Sequence, residues 1–154
     1  MQAGGPKVNL LINNAGFALG IINIASSAAF QPLAWSAVYA ATKAHVLLFS
    51  EAIERELRRQ GTRVLAVCPG PVETNFFRQI GSDLPKGMMD SPGRIVAESL
   101  AAFDKNRAVL IPGRATNRLQ AFATRLLPRA MIAKIAEGGS RKIMMARHDR
   151  PARS

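Results

Sequence analysis

Tyr39 and Lys43 stand four residues apart in Tyr-Ala-Ala-Thr-Lys, inside a run of good helix formers. On a helix this spacing sets a phenol and an ammonium on one face, a turn apart. The ammonium favours ionisation of a neighbouring phenol, so the pair suits proton transfer near neutral pH. Ser26 precedes Tyr39 by thirteen residues and closes an apolar, β-branched run. A loop of that length can bring its hydroxyl to face the phenol, where it can hydrogen-bond a carbonyl or alcohol oxygen. Ser27, twelve residues before Tyr39, competes for that role. Tyr-x-x-x-Lys also arises by chance, as an interface tyrosine beside a solvated lysine. Tyr39, however, is the only tyrosine in the chain.

The elements needed to hold these groups can be read from periodicity. Residues 8–12 and 21–25 are short apolar strands; the first ends in Asn13-Asn14-Ala15-Gly16 and the second in Ser26-Ser27. Residues 36–59 follow a helical pattern that Gly61 ends as a C-cap. Residues 64–68 read as a third buried strand, followed by the rigid turn Pro69-Gly70-Pro71-Val72-Glu73-Thr74. Residues 75–91 show no clear period and have the composition of a flexible lid, with Phe76-Phe77 and Met88-Met89 as packing residues. Ser91 as N-cap and Pro92 at the first position open a helix to about 103. A short strand at 108–111 and an amphipathic helix at 117–127 follow, and Pro128 breaks the chain before 131–136. Strands alternating with helices predict an α/β fold with a mostly parallel sheet flanked by helices. Such sheets carry their function at the carboxyl ends of the strands. Those ends are Asn13–Gly16, Ser26-Ser27 and 69–74, the most polar stretches of the body.

Asn13-Asn14-Ala15-Gly16, Ser26 thirteen before Tyr39, Tyr39-x-x-x-Lys43 and Pro69-Gly70-Pro71-Val72-Glu73-Thr74 together resemble the short-chain dehydrogenase/reductase family, over residues 8–112. The resemblance implies a Rossmann-type, doubly wound fold, partial in this chain. It also implies interconversion of alcohols and carbonyls with NAD or NADP. By that resemblance Tyr39 is the acid/base, Lys43 holds the nicotinamide ribose and tunes Tyr39, and Ser26 polarises the reacting oxygen. Asn13, Ala15 and Gly16 would line the adenosine-ribose side of the cofactor. Pro69, Gly70, Val72 and Thr74 would run along the nicotinamide, beside Tyr39 and Lys43. A hydrophobic alcohol or carbonyl as substrate and a homo-oligomer are the implied partners.

The chain departs from that pattern in two places. No glycine-rich turn precedes Asn13, and only Phe17–Gly20 lies between the first two strands, where the family carries a long helix. A chain truncated at its N-terminus and internally deleted is therefore expected, with weak or no cofactor binding.

Charge divides the chain unevenly. Residues 1–104 hold nine Lys/Arg against eight Asp/Glu, and residues 105–154 hold twelve against two, which accounts for the net charge of +11. We read 1–137 as an incomplete dehydrogenase domain and 138–154 as a basic, frayed tail. An alternative is a non-catalytic remnant that meets a partner or an anionic membrane through residues 117–134. There Leu119, Phe122, Leu126 and Ile132 alternate with Arg118, Arg125, Arg129 and Lys134. Packing of this helix on the sheet or on a partner subunit is the favoured reading. Nucleic acid is not expected, because Phe122 is the only aromatic there. No His/Cys/Asp cluster has metal-ligand spacing, so no metal is expected. His45 falls off the Tyr39 face. The single Cys68 sits in an apolar run and reads as a core residue. No long apolar span or signal peptide is legible, so the expected compartment is the cytoplasm.

Overall fold

A computed structural model describes residues 20–79 and 84–145. The strand expected at 8–12, the candidate residues Asn13, Ala15 and Gly16, and the last nine residues of the tail lie outside the described residues.

Among the described residues three strands form one parallel sheet in the order β1-β2-β3: β1 (Gly20–Ile24), β2 (Arg63–Val67) and β3 (Val109–Leu110). Gly20 pairs with Arg63 and Ile24 with Val67, while Ala66 and Val67 pair with Val109 and Leu110. Backbone bonds carry the ladder past the strand ends: Ala25 N to Val67 O at 2.8 Å, Ser27 N to Pro69 O at 2.9 Å, and Cys68 N to Leu110 O at 2.7 Å. The polar strand ends are thereby fastened side by side.

Helix α1 (Ala37–Leu57) connects β1 to β2, and α3 (Pro92–Asp104) connects β2 to β3. Side chains alternate along β2, which explains why Val64–Val67 are all apolar. Ala66 and Cys68 pack with Ala25 and Leu47 of α1 on one face. Leu65 and Val67 pack with Leu110 and Ala102 of α3 on the other. Each fully buried Leu or Val contributes roughly 1.5–3 kcal/mol of transfer free energy. Both connections step the same way across the sheet, yet their helices cover opposite faces. The two crossovers are therefore of opposite hand, and one departs from the usual right-handed rule. On the α1 face Asn23 Nδ2 donates to Ser50 Oγ at 2.9 Å, and Ser50 Oγ donates to the Val46 carbonyl at 2.6 Å. This polar stitch holds α1 in register with β1.

The remaining elements differ more from expectation. The 75–91 segment is not uniformly irregular. It contains α2 (Asn75–Gln79) and a 3-10 turn at Lys86–Met88. Thr74 Oγ1 accepts from Phe76 N at 3.4 Å and so starts α2, a local signal that periodicity does not register. Helix α4 (Ala115–Leu126) ends before Pro128 as expected, and α5 (Arg129–Met145) follows. Residues 138–145 are thus helical where a frayed tail was expected. The reason is burial of Ile132, Ala136 and Ser140 at four-residue intervals, with Ser140 Oγ donating to the Ala136 carbonyl at 2.8 Å. That burial offsets the cost of Gly138 and Gly139, about 1 kcal/mol each in a helix. Leu119, Phe122 and Leu126 of α4 are exposed, so they do not pack on the sheet. Asn117 and Ala121 face inward in their place. No helix of the described residues is long and apolar enough to cross a membrane.

Candidate active site

Ser26 follows β1 and caps the 3-10 turn Ser27–Phe30, its Oγ accepting from Ala28 N at 3.1 Å. The side chain is buried, and the cap uses an oxygen lone pair, so the hydroxyl hydrogen is left to donate elsewhere. Ser27 is engaged through its backbone N–H to Pro69. The competing serine is therefore tied into the sheet edge by its main chain.

Helix α1 brings Tyr39 and Lys43 to the same edge. Lys43 reaches back across the strand end, and its Nζ donates to the Ile24 carbonyl at 3.0 Å. Burial pulls the Lys43 ammonium below its usual pKa of 10.5. Its Nζ lies 5.9 Å from the centre of the Tyr39 ring. That ring also meets Phe76 of α2, centroids 5.9 Å apart and planes inclined by 34°. Phe77 stands edge-on to Phe76 at 5.3 Å. The phenol thus has a cation and an aromatic pair as neighbours. His45 is exposed and stacks on Phe49, away from this cluster.

The turn after β2 supplies the third side. Gly70 allows close approach: a Cβ there would lie 2.2 Å from Asn117 Nδ2. Asn117 is buried in the first turn of α4, and its Nδ2 has no hydrogen-bond partner. Val72 forms an isolated parallel bridge with Asp90. Thr74 is exposed and caps α2. Cys68, one residue before the turn, is fully buried, and burial pushes its thiol up to about 12, the Ser26 backbone N–H pulling the other way. It is held as a thiol and is not a nucleophile at neutral pH.

Of the sequence-predicted residues, Ser26, Tyr39, Lys43, Pro69 and Gly70 gather at the carboxyl edge of the sheet, with Val72 and Thr74 further along the same turn. Periodicity and motif spacing miss Phe76 as a neighbour of Tyr39, Asn117 behind Gly70, and Asp90 beneath Val72. For Asp90 the one available signal is a carboxylate just before the Ser91-Pro92 helix start. Chemically, the edge offers a phenol, a cation beside it and a hydroxyl donor, next to the turn after β2.

Comparison with known proteins agrees with this fold. The family model described as short chain dehydrogenase matches residues 19–85. That match begins after Asn13–Gly16 and ends before β3, within the 8–112 expected from the motifs. An uncharacterized oxidoreductase of Staphylococcus epidermidis is 44% identical over 54 residues, 35% of this chain and 24% of the relative. Estradiol 17-beta-dehydrogenase 2 of Rattus norvegicus is 33% identical over 85 residues, 55% of this chain and 20% of the relative. Among solved structures, a short-chain dehydrogenase from Sphingobium yanoikuyae in complex with NADPH superposes with a TM-score of 0.58 at 32% identity. That superposition covers 70% of this chain and 42% of that one. The chain thus spans about a quarter of the length of these curated relatives and less than half of that structure. The layers and parallel sheet are those of a partial Rossmann-type fold. Over residues 19–85 the chain resembles the short-chain dehydrogenase family, and its described residues share that fold.

Proposed function

We propose that the chain carries the catalytic edge of an NAD(P)-dependent oxidoreductase that interconverts a hydrophobic alcohol and its carbonyl. The observation that carries the reading is the Lys43 ammonium, tethered to the end of β1 at Ile24 and set beside the Tyr39 ring, with Ser26 two residues beyond Ile24. In the reductive direction Tyr39 Oη gives its proton to the carbonyl oxygen as that oxygen gains charge. In the oxidative direction Tyr39 Oη takes the alcohol proton. The Ser26 hydroxyl donates to the same oxygen and holds it in place. Phe76 and Phe77 furnish an apolar wall suited to a hydrophobic substrate.

The residues present fit the nicotinamide end of the cofactor. Lys43 uses one of its three N–H donors on Ile24, so donors remain for ribose hydroxyls. Pro69, Gly70, Val72 and Thr74 lie along one turn, and at Gly70 the unpartnered Asn117 amide packs against it. When bound, the nicotinamide supplies or accepts the hydride. Asn13, Ala15 and Gly16 complete this proposal on the adenosine side. Self-association belongs to the same reading: α1 turns Val38, Leu48 and Phe49 outward, away from the face that carries Lys43.

The test is consumption of NADPH and of NADH by the purified chain with a panel of apolar ketones and aldehydes. Turnover with one nucleotide is expected only at high nucleotide concentration, in keeping with the weak binding expected of an incomplete cofactor cradle, and Tyr39→Phe should lower it by about 10²–10⁴-fold with an unchanged thermal midpoint. An unchanged rate in Tyr39→Phe would remove the phenol from the mechanism. Absence of both turnover and nucleotide binding in the wild-type chain would overturn the proposal.

A further inference from the structure

We propose that Asp90 is a positioning residue that sets the conformation of the 71–74 turn, and through it the nicotinamide side of the site. The link to cofactor rests on the function proposed above; the link to the turn does not.

Asp90 is a carboxylate only 5% exposed. Burying a charge is costly unless it is paired and hydrogen-bonded, so its placement needs a reason. Its surroundings supply one. Through its backbone, Asp90 grips the turn in both directions: its N–H donates to the Pro71 carbonyl at 2.9 Å, and its carbonyl accepts from Glu73 N at 2.9 Å. Through its side chain it grips the segment after β3, where Oδ2 accepts from the Arg114 N–H at 3.3 Å. Arg94 of α3 at 3.6 Å and the Arg114 guanidinium at 4.0 Å compensate its charge. Arg114 Nη2 also donates to the Gly87 carbonyl, which ties down the chain just before Asp90.

The next amide in the same segment is held in parallel fashion. Gly113 N donates to Glu98 Oε2 at 2.9 Å, and Arg94 Nε donates to Glu98 Oε1 at 2.7 Å. The Gly113 amide and Arg94 hold the Glu98 carboxyl below the usual carboxylate range. Two carboxylates thus take two successive backbone N–H groups, with Arg94 shared between them. Gly113 has φ of +82°, and a Cβ there would lie 2.3 Å from Asp90 Oδ2. Only glycine permits the carboxylate to come so close at that backbone conformation.

The backbone bridge between Val72 and Asp90 is therefore the point at which the Asp90 carboxylate anchors the 71–74 turn to the segment after β3. Val72 and Thr74 depend on Asp90 for their position. Its effect passes through the turn's backbone.

The test uses the full chain with Asp90→Ala, Asp90→Asn and Gly113→Ala. Amide hydrogen exchange at Glu73 reads the turn, and exchange at Ala66 and Cys68, both bonded across the sheet, reads global stability. Asp90→Ala and Gly113→Ala should speed Glu73 exchange by about tenfold or more, the scale of losing one charge-assisted hydrogen bond, with Ala66 and Cys68 near wild type. The dissociation constant and KM for the nucleotide used, NADPH or NADH, should rise by about tenfold with kcat changed by less than about threefold. Asp90→Asn keeps an oxygen for the Arg114 N–H and should recover most of both effects. Unchanged Glu73 exchange would overturn the proposal. So would faster exchange at all three amides together, or a faster turn with unaltered nucleotide affinity. If the wild-type chain neither binds nor turns over either nucleotide, the proposed function fails, and Glu73 exchange alone decides whether Asp90 sets the turn.

Discussion

Ser26 and Ser27 are adjacent and chemically identical, yet the fold treats them differently. Ser26 presents a buried hydroxyl that caps a turn, whereas Ser27 is held by its main-chain N–H. Ser26→Ala should therefore cost about 1 kcal/mol of stability as a lost cap, and turnover should fall further than that loss explains. Ser27→Ala should leave both nearly intact. Urea midpoints alongside kcat/KM separate the two, and equal loss of activity in both variants would remove Ser26 from its proposed role. Sequence spacing distinguished the two serines only by one residue of register. What separates them physically is which one finds the Ala28 amide.

At the scale of elements, most of the fold is legible because each element depends on its own sequence. The apolar runs at 21–25 and 64–68 and the helical patterns at 36–59 and 92–103 differ from the observed elements by one or two residues at each end. The start of α3 is a local signal of this kind: Ser91 Oγ accepts from Arg94 N at 3.4 Å, and Pro92 takes the first helical position. Ser91→Ala should destabilise by about 1 kcal/mol, and Ser91→Asp should retain most of the stability, as thermal melts would show. No change in Ser91→Ala would mean the cap is made by other groups. Elements whose existence rests on contact elsewhere were not legible. Helix α5 passes through two glycines because Ile132, Ala136 and Ser140 are buried, and α2 forms where Phe76 can meet Tyr39. Neither fact has a counterpart in local periodicity.

For the molecule as a whole, covering the sheet on both faces creates a measurable pH dependence. Cys68 is sealed between β2 and α1, and burial raises its pKa from 9.0 to about 12. Below about pH 9 the thiol is protonated whether the chain is folded or unfolded. Between 9.0 and about 12 the unfolded thiol ionises while the folded one keeps its proton. The unfolded state then binds fewer protons, so stability falls as pH rises, by up to about 1.4 kcal/mol per unit. Lys43 acts in the opposite sense. Its folded pKa lies below 10.5, so the unfolded state binds more protons just under that value and stability rises with pH there. Comparison with Cys68→Ala isolates the thiol. The stability difference between wild type and variant should shrink steadily when urea midpoints are compared at about pH 8, 9.5 and 11. A difference constant with pH would show that the thiol is not sealed.

The amino-acid sequence alone determined the alternation of strands and helices, the two-faced burial of β2, the Tyr39–Lys43 spacing and the family resemblance. Each of these is written in neighbouring residues, through side-chain period and local turn chemistry. Only the tertiary structure decided that Lys43 is anchored on Ile24, that Phe76 walls the phenol, that Asn117 backs Gly70 and that Asp90 joins the 71–74 turn to Gly113 and Arg114. Those pairs lie about 17 to 47 residues apart in the chain. No local rule specifies them; they follow from the parallel register that brings the carboxyl ends of three strands to one edge.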